Sequence, residues 1–304
     1  MTKSLLRNAV YACATLSLMA LPALAADPFG TAAPKRQSKG TIIVGSANFP
    51  ESQLIATIYA KALKSAGVPV ETHMNIGSRE VYIPALIDGS IDLLPEYSGS
   101  MLTYLDKNAT ASSPTDVATA LKAALPKGVS ILTPSAAQDA DTVTVTQATA
   151  TKYHLASIAD LKPVAGDLVS GGAPEWQTRE EGAVGLTRIY GVTFKSFKPL
   201  DEAGPLTLSA LVNGQVQAAD VYSTDPSMAA DHLVALSDPK SLFPAQNVVP
   251  IIATAKVNPI VIKTLNAVSA ALTTDDLIKM NVALGNHESF NEVAKDWLKA
   301  HNIK

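Results

Sequence analysis

The sequence predicts an α/β protein built as two similar lobes, and three observations carry that expectation. Apolar β-branched runs alternate with helix-patterned segments: TIIVGSA (41–47), a helical stretch through Ala66, VPVETHMNI (68–76), a helix over 79–88, and IDLLPEY (91–97). Strand–helix–strand order with short connections implies a parallel sheet, and such sheets bind ligands beyond the carboxyl ends of their strands. The second half repeats the grammar, and a pair of segments in the two halves aligns without a gap. ALIDGSIDLLPEYS (85–98) lies above ALVNGQVQAADVYS (210–223), so that Gly89 meets Gly214, Ile91 meets Val216 and Tyr97 meets Tyr222. Each lobe then offers a tyrosine from the end of an equivalent strand to the groove between them.

The elements follow in order. Asn48 is the expected N-cap of the first helix, Pro50 suits its first turn, and Glu51 takes the capping-box position. Leu54, Ile55, Ile58, Tyr59, Ala62 and Leu63 recur at helical spacing, and Gly67 ends the helix. In the second half, DTVTVTQ (141–147) reads as a strand and SIADLKP (157–163) as a short helix. DLVSGGAPEW (167–176) is a strand and loop, TREEGAVGLTRIYG (178–191) a helix, and VTFKSFKPL (192–200) a strand. VVPIIATAKV (248–257) is a further strand, followed by helices near 258–272, 275–285 and 289–300. The last carries Phe290, Val293, Ala294, Trp297 and Leu298 on one face, which is most simply a core stripe.

Composition narrows the function classes. Hydrophobic residues make up 47% of the 304-residue chain and charged ones 17%, which fits a folded protein with a core. The formal charge is −3, with no basic run and no interleaving of basic and aromatic residues. Nucleic acid is therefore not an expected partner. MTKSLLRNAVYACATLSLMALPALAAD opens with Lys3 and Arg7, continues through an apolar run and reaches Ala23-Leu24-Ala25. This reads as a secretory signal peptide (1–25), cleaved after Ala25, and it places the mature protein in the periplasm. Residues 26–40 read as a flexible leader. Cleavage removes Cys13, the sole cysteine. A lipoprotein reading of Cys13 meets a bulky Tyr11 two residues earlier and is the weaker alternative. The mature chain then relies on packing rather than disulfides.

Enzyme signatures are missing: there is no H-E-x-x-H, G-x-S-x-G, P-loop or dinucleotide glycine fingerprint. The five histidines are scattered without metal-ligand spacing, so no metal or cofactor is expected. Asp92 and Glu96 lie close on one strand end, which loop solvation explains as well as acid–base chemistry does. Binding is better supported. Tyr97 and Tyr222 can hold a cation over their faces, worth about 0.5–2 kcal/mol per contact. Arg179 in EWQTR can grip a carboxylate with its fork.

A run of ordered blocks adds a resemblance. GSANFPES, NIGS, ALIDGSIDLLPEYSGS, VTQATATKYHLASIADL, EWQTREEG, YGVTF, VYSTDP and LFPAQNVVP resemble the periplasmic substrate-binding proteins of osmoprotectant ABC importers, of the glycine betaine/choline/carnitine type. The resemblance spans about Thr41 to Leu298. It implies a two-lobed clamshell of the type II binding-protein fold with two hinge crossings, one lobe comprising 41–137 and 247–304 and the other 138–246. It also implies a small amine or betaine ligand, delivery to permease subunits at the membrane, and a monomer. Relatives hold a quaternary ammonium in a cage of tyrosines. By that match Tyr97 and Tyr222 are cage tyrosines, Ser100 replaces a ligand-contacting threonine, and Arg179 is the carboxylate-binding arginine.

Two departures alter the cage. Asp141 stands where one cage tyrosine belongs and Gln246 where another does. Two lost ring faces cost roughly 1–4 kcal/mol, or about one to three decades of affinity. Asp141 compensates if it faces the ammonium, since a carboxylate accepts N–H hydrogen bonds that a ring does not. The expected ligand is then either a weakly held betaine or an amine with N–H or hydroxyl groups. The competing readings are a carboxylate-dependent periplasmic hydrolase and a solute sensor.

Overall fold

The computed structural model describes residues 40–303, so the predicted signal peptide and residues 26–39 of the leader lie outside the described residues. The apolar run after Gly40 becomes β1 (Ile42–Gly45), buried along its whole length, as a strand covered on both faces must be. α1 (Pro50–Ser65) packs over it, followed by β2 (Val70–His73), α2 (Arg79–Ile87), β3 (Leu93–Tyr97), α3 (Ser98–Leu105), α4 (Pro114–Ala124) and β4 (Val129–Ile131). The chain then builds β5 (Asp141–Thr146), α5 (Gln147–Tyr153), β6 (Val169–Gly172), α6 (Ala183–Gly185), β7 (Ser196–Pro199), α7 (Pro205–Val212), β8 (Ala218–Tyr222), α8 (Ser227–Ala230) and β9 (Leu233–Ala235). It closes with β10 (Val248–Ala253), α9 (Pro259–Ala271), α10 (Thr274–Gly285) and α11 (Phe290–Ala300).

Among the described residues ten strands form two five-stranded sheets, ordered β2-β1-β3-β10-β4 and β7-β6-β8-β5-β9. The expected parallel pairing holds at β1–β2, β1–β3, β6–β7 and β6–β8, but both sheets are mixed. β10 runs antiparallel to β3 and β4, and β5 antiparallel to β8 and β9. The reason lies in where the chain changes sheets. Val248 opens β10 opposite Tyr97, and Asp141 opens β5 opposite Tyr222. Both crossing strands thus start at the carboxyl ends of their neighbours and must run the other way. An isolated antiparallel bridge, Gln138 to Asn247, ties the two crossings together.

The aligned segments are structurally equivalent. Each runs from a helix through a positive-φ glycine (Gly89 at 84°, Gly214 at 69°) to a buried aliphatic residue and the central strand. Ile91 N–H donates to the Ala85 carbonyl at 3.1 Å, and Val216 N–H to the Ala210 carbonyl at 3.2 Å. The C-terminal stripe is core as expected: Val293, Ala294, Trp297 and Leu298 bury against the first sheet's cluster. Trp176 sits in the separate core of the second sheet.

Two local expectations change. Residues 178–191 do not form one helix. A 3-10 turn (Pro174–Gln177) precedes the three-residue α6, and a π turn (Leu186–Tyr190) follows it. The backbone doubles back so tightly that a Cβ on Gly185 would lie 1.9 Å from the Glu180 carbonyl oxygen. The N-cap of α1 is Phe49 rather than Asn48, and it makes no side-chain capping bond. Asn48 instead turns its amide to donate to the Gly77 carbonyl at 3.2 Å and to Glu202 Oε2 at 2.6 Å. Among the described residues no helix is long and apolar enough to cross a membrane.

Candidate functional site

Because β3 and β8 both end in tyrosine at the level where the chain crosses between sheets, their rings meet over one cleft. Tyr97, Ser100, Asp141, Arg179 and Tyr222 line it, joined by Phe49, Arg79, Tyr82, Asp139 and Glu202. The side chains nearly fill it, leaving about 20 Å³ for the centre of a water-sized sphere. Phe49 is the keystone: its ring centroid lies 5.9 Å from that of Tyr97 and 5.1 Å from that of Tyr222, tilted in both cases. The three rings form a curved apolar wall contributed by both halves of the chain. Tilted aromatic pairs at this spacing are favourable in themselves and leave π faces for a cation.

Gln246, the sixth expected site residue, stands one layer behind. It is 1% exposed, and its Oε1 accepts from Ser100 N–H at 2.9 Å. Its Nε2 donates to Ser100 Oγ at 2.8 Å and to Glu181 Oε1 at 3.2 Å. Gln246 therefore fixes Ser100, at the start of α3, rather than facing the cleft. The small residues after Tyr97 are the first turn of that helix, and Ser98 donates its hydroxyl to the Ala245 carbonyl.

Buried polar bonds anchor the wall. Tyr97 donates its hydroxyl to Glu51 Oε1 at 2.7 Å. The other Glu51 oxygen accepts from Thr224 Oγ1 and Asn281 Nδ2, each at 2.7 Å, so one carboxylate gathers α1, the end of β3, the segment after β8 and α10. Burial raises the Glu51 carboxyl, and these donors oppose the rise. Beneath Tyr97, Arg79 binds Glu96 through Nε at 2.6 Å and a second N–H at 3.0 Å, while Tyr82 donates to the same carboxylate at 2.7 Å.

Arg179 reaches the cleft, yet its fork is already engaged: it donates to the two Glu80 oxygens at 3.0 and 2.9 Å. Desolvation works against ionised Glu80, but the bonds and charge of Arg179 outweigh it and pull the carboxyl down to about 2. The other carboxyls move the opposite way. Burial pushes Glu202 up to about 7, and burial together with the charge of Asp141 does the same to Glu181. Burial also raises Asp141, and raises Asp139 and Asp220 further still. A cleft with this surplus of poorly ionised carboxyls favours a positive guest, whose charge would stabilise their ionised form.

Phe49, Arg79 and Glu202 escaped the sequence reading. Phe49 carried a signal, since it lies just past the carboxyl end of β1, where open α/β sheets bind ligands. Arg79 and Glu202 carried none, because only the fold brings them to the tyrosines. No group of three metal-ligating side chains occurs among the described residues.

Two α/β lobes, paired crossings and a charged aromatic cleft between them define a two-lobed solute-binding protein. Residues 40–300 match the substrate binding domain of the ABC-type glycine betaine transport system, and the chain belongs to that family. It is 28% identical over 274 residues to the carnitine transport binding protein OpuCC of Listeria monocytogenes, covering 87% of this chain and 88% of the relative. It is 27% identical over 279 residues to the glycine betaine-binding protein YehZ of Escherichia coli strain K12, covering 86% and 91%. A solved glycine betaine/carnitine/choline ABC transporter structure superposes with a TM-score of 0.68 at 26% identity, covering 86% of this chain and 99% of that one.

Proposed function

We propose that this chain is the exported receptor of an ABC importer, periplasmic and monomeric, which closes on a small cationic or zwitterionic amine and delivers it to permease subunits. Closure hinges at the two crossings, with 41–137 and 247–304 forming one lobe and 138–246 the other. The observation that carries the reading is the wall of Phe49, Tyr97 and Tyr222 beside Asp141 and Glu202. Rings supply faces for an alkylammonium group, and the carboxyls supply countercharge. Closure is favoured only through contacts that the ligand makes better in the shut state than in the open one. Ring faces and acids contributed by both lobes provide such contacts.

Calorimetric titration of the mature protein with betaines, choline, carnitine, polyamines and amino acids tests this. One-to-one binding of at least one amine, with the ligand recovered unaltered, is the expected result. Turnover of the ligand, or no amine binding at all, would overturn the reading.

A further inference from the structure

The charges in the cleft are unevenly served. Both guanidinium groups that reach it are held by carboxylates of the protein, Arg79 by Glu96 and Arg179 by Glu80, each through two hydrogen bonds. A ligand carboxylate would have to displace one of them. No guanidinium forks onto the remaining acids, although Asn48 donates to Glu202 and Ser223 and Thr224 donate to Asp139. Arg179 comes only within 4.0 Å of Glu202. Asp220 lies two residues before Tyr222 on β8, hence on the same face of the sheet, and is 3% exposed. Its Oδ1 is buried with no hydrogen-bond partner. Asp220 is hydrogen-bonded to the carboxyl of Asp141, one strand over, and Asp141 lines the cleft.

Two buried carboxyls that share one hydrogen bond are short of donors, and an N–H brought by the ligand to Asp141 supplies one. A quaternary ammonium has no N–H to give. Its methyl groups suit a ring face and bring no donor to the acid pair. Resting on the receptor reading above, we propose that the cleft is built for a carboxylate-free cation that donates hydrogen bonds. The ligand class is a primary, secondary or tertiary amine, with its N–H groups on Asp141, Asp220 behind as a positioning residue, and its alkyl part against Tyr97, Tyr222 and Phe49. The aspartate at the crossing into β5 is then a specificity element in place of a ring.

The choline series tests the proposal at nearly constant size and charge. Choline, N,N-dimethylethanolamine, N-methylethanolamine and ethanolamine exchange methyl groups for N–H one at a time. Titrated at neutral pH against the mature protein, N,N-dimethylethanolamine is expected to bind about tenfold to a hundredfold more tightly than choline, the range for one hydrogen bond to a charged group. In Asp141→Asn and Asp220→Asn the ratio of the two affinities is expected to fall below about threefold. That readout is internal to each variant and unaffected by a change in overall stability. Choline binding as tightly as its demethylated relatives in the wild-type protein, or glycine betaine outcompeting them, would overturn the proposal and leave the receptor reading standing. Failure of every amine to bind would overturn both.

Discussion

Replacing Glu96 by glutamine keeps the shape of the residue beneath Tyr97 and removes its charge. Glu96 is fully buried and Arg79 is 9% exposed by its side chain, so the pair is screened from water. The carboxylate accepts from Arg79 twice, from Tyr82 and from the Tyr97 backbone N–H at 2.6 Å. Glutamine has one acceptor oxygen for this work and turns an amide N–H₂ toward the remaining donors. Arg79 is then left charged and half-paired in the interior. Breaking a buried pair from one side costs about 3–5 kcal/mol. For a protein of this size each kcal/mol moves the melting temperature by about 2–4 °C, so a fall of about 6–20 °C is expected.

The two tryptophans make the assay specific. Trp297 packs in the same core as Tyr97 and Trp176 in the other, so urea unfolding followed in a Trp176→Phe background reports the lobe that holds the ion pair. The double variant Arg79→Met with Glu96→Leu should recover most of the loss, because apolar residues of similar volume can replace a buried pair. A Glu96→Gln protein within about 1 kcal/mol of wild type would refute the reasoning, since an unpaired buried guanidinium cannot be that cheap.

Stability of the ligand-free protein should fall between pH 4.5 and 7. Glu181 and Glu202 sit at about 7 when folded against an ordinary 4.5, so the folded state holds their protons more tightly. Their contribution is complete below 4.5 and is lost as pH rises to about 7, on the order of 3 kcal/mol each. Glu80 runs the other way, stabilising above 4.5 and losing that as pH falls toward 2. Urea midpoints at pH 5 and pH 8 check this, and greater stability at pH 8 would contradict it. Cation affinity should rise from pH 6 to 8 as Glu202 ionises in the cleft, read by titration at both values. Gln246→Tyr should destabilise the protein by about 1–3 kcal/mol without adding a cage face, because the new ring would overpack the layer behind Ser100. Unchanged stability with tighter choline binding would show that position 246 faces the cleft after all.

The features legible in the sequence were those that repeat along the chain. The gapless match of 85–98 with 210–223 marked equivalent helix–strand units, and the tyrosine ending each one pointed to the cleft that their rings now share. Strand direction was less legible, because alternation of strands and helices says nothing about the end from which a crossing strand enters its sheet. Partnerships were the least legible. Arg179 meets Glu80 across 99 residues and Gln246 meets Ser100 across 146, and no local pattern announces either bond. Asp141 was recognisable as an acid in an aromatic position, but its buried neighbour Asp220 became visible only through the register of β5 against β8.

Titration of the tightest-binding amine against Tyr97→Leu, Tyr222→Leu and the double variant measures the grip proposed for the rings of both lobes on the ligand's cationic group. Leucine keeps apolar bulk and removes the π face. Each single change is expected to weaken binding about twofold to thirtyfold, and the double change by more than either alone. Equal affinities for wild type and the double variant would mean that the ligand sits elsewhere.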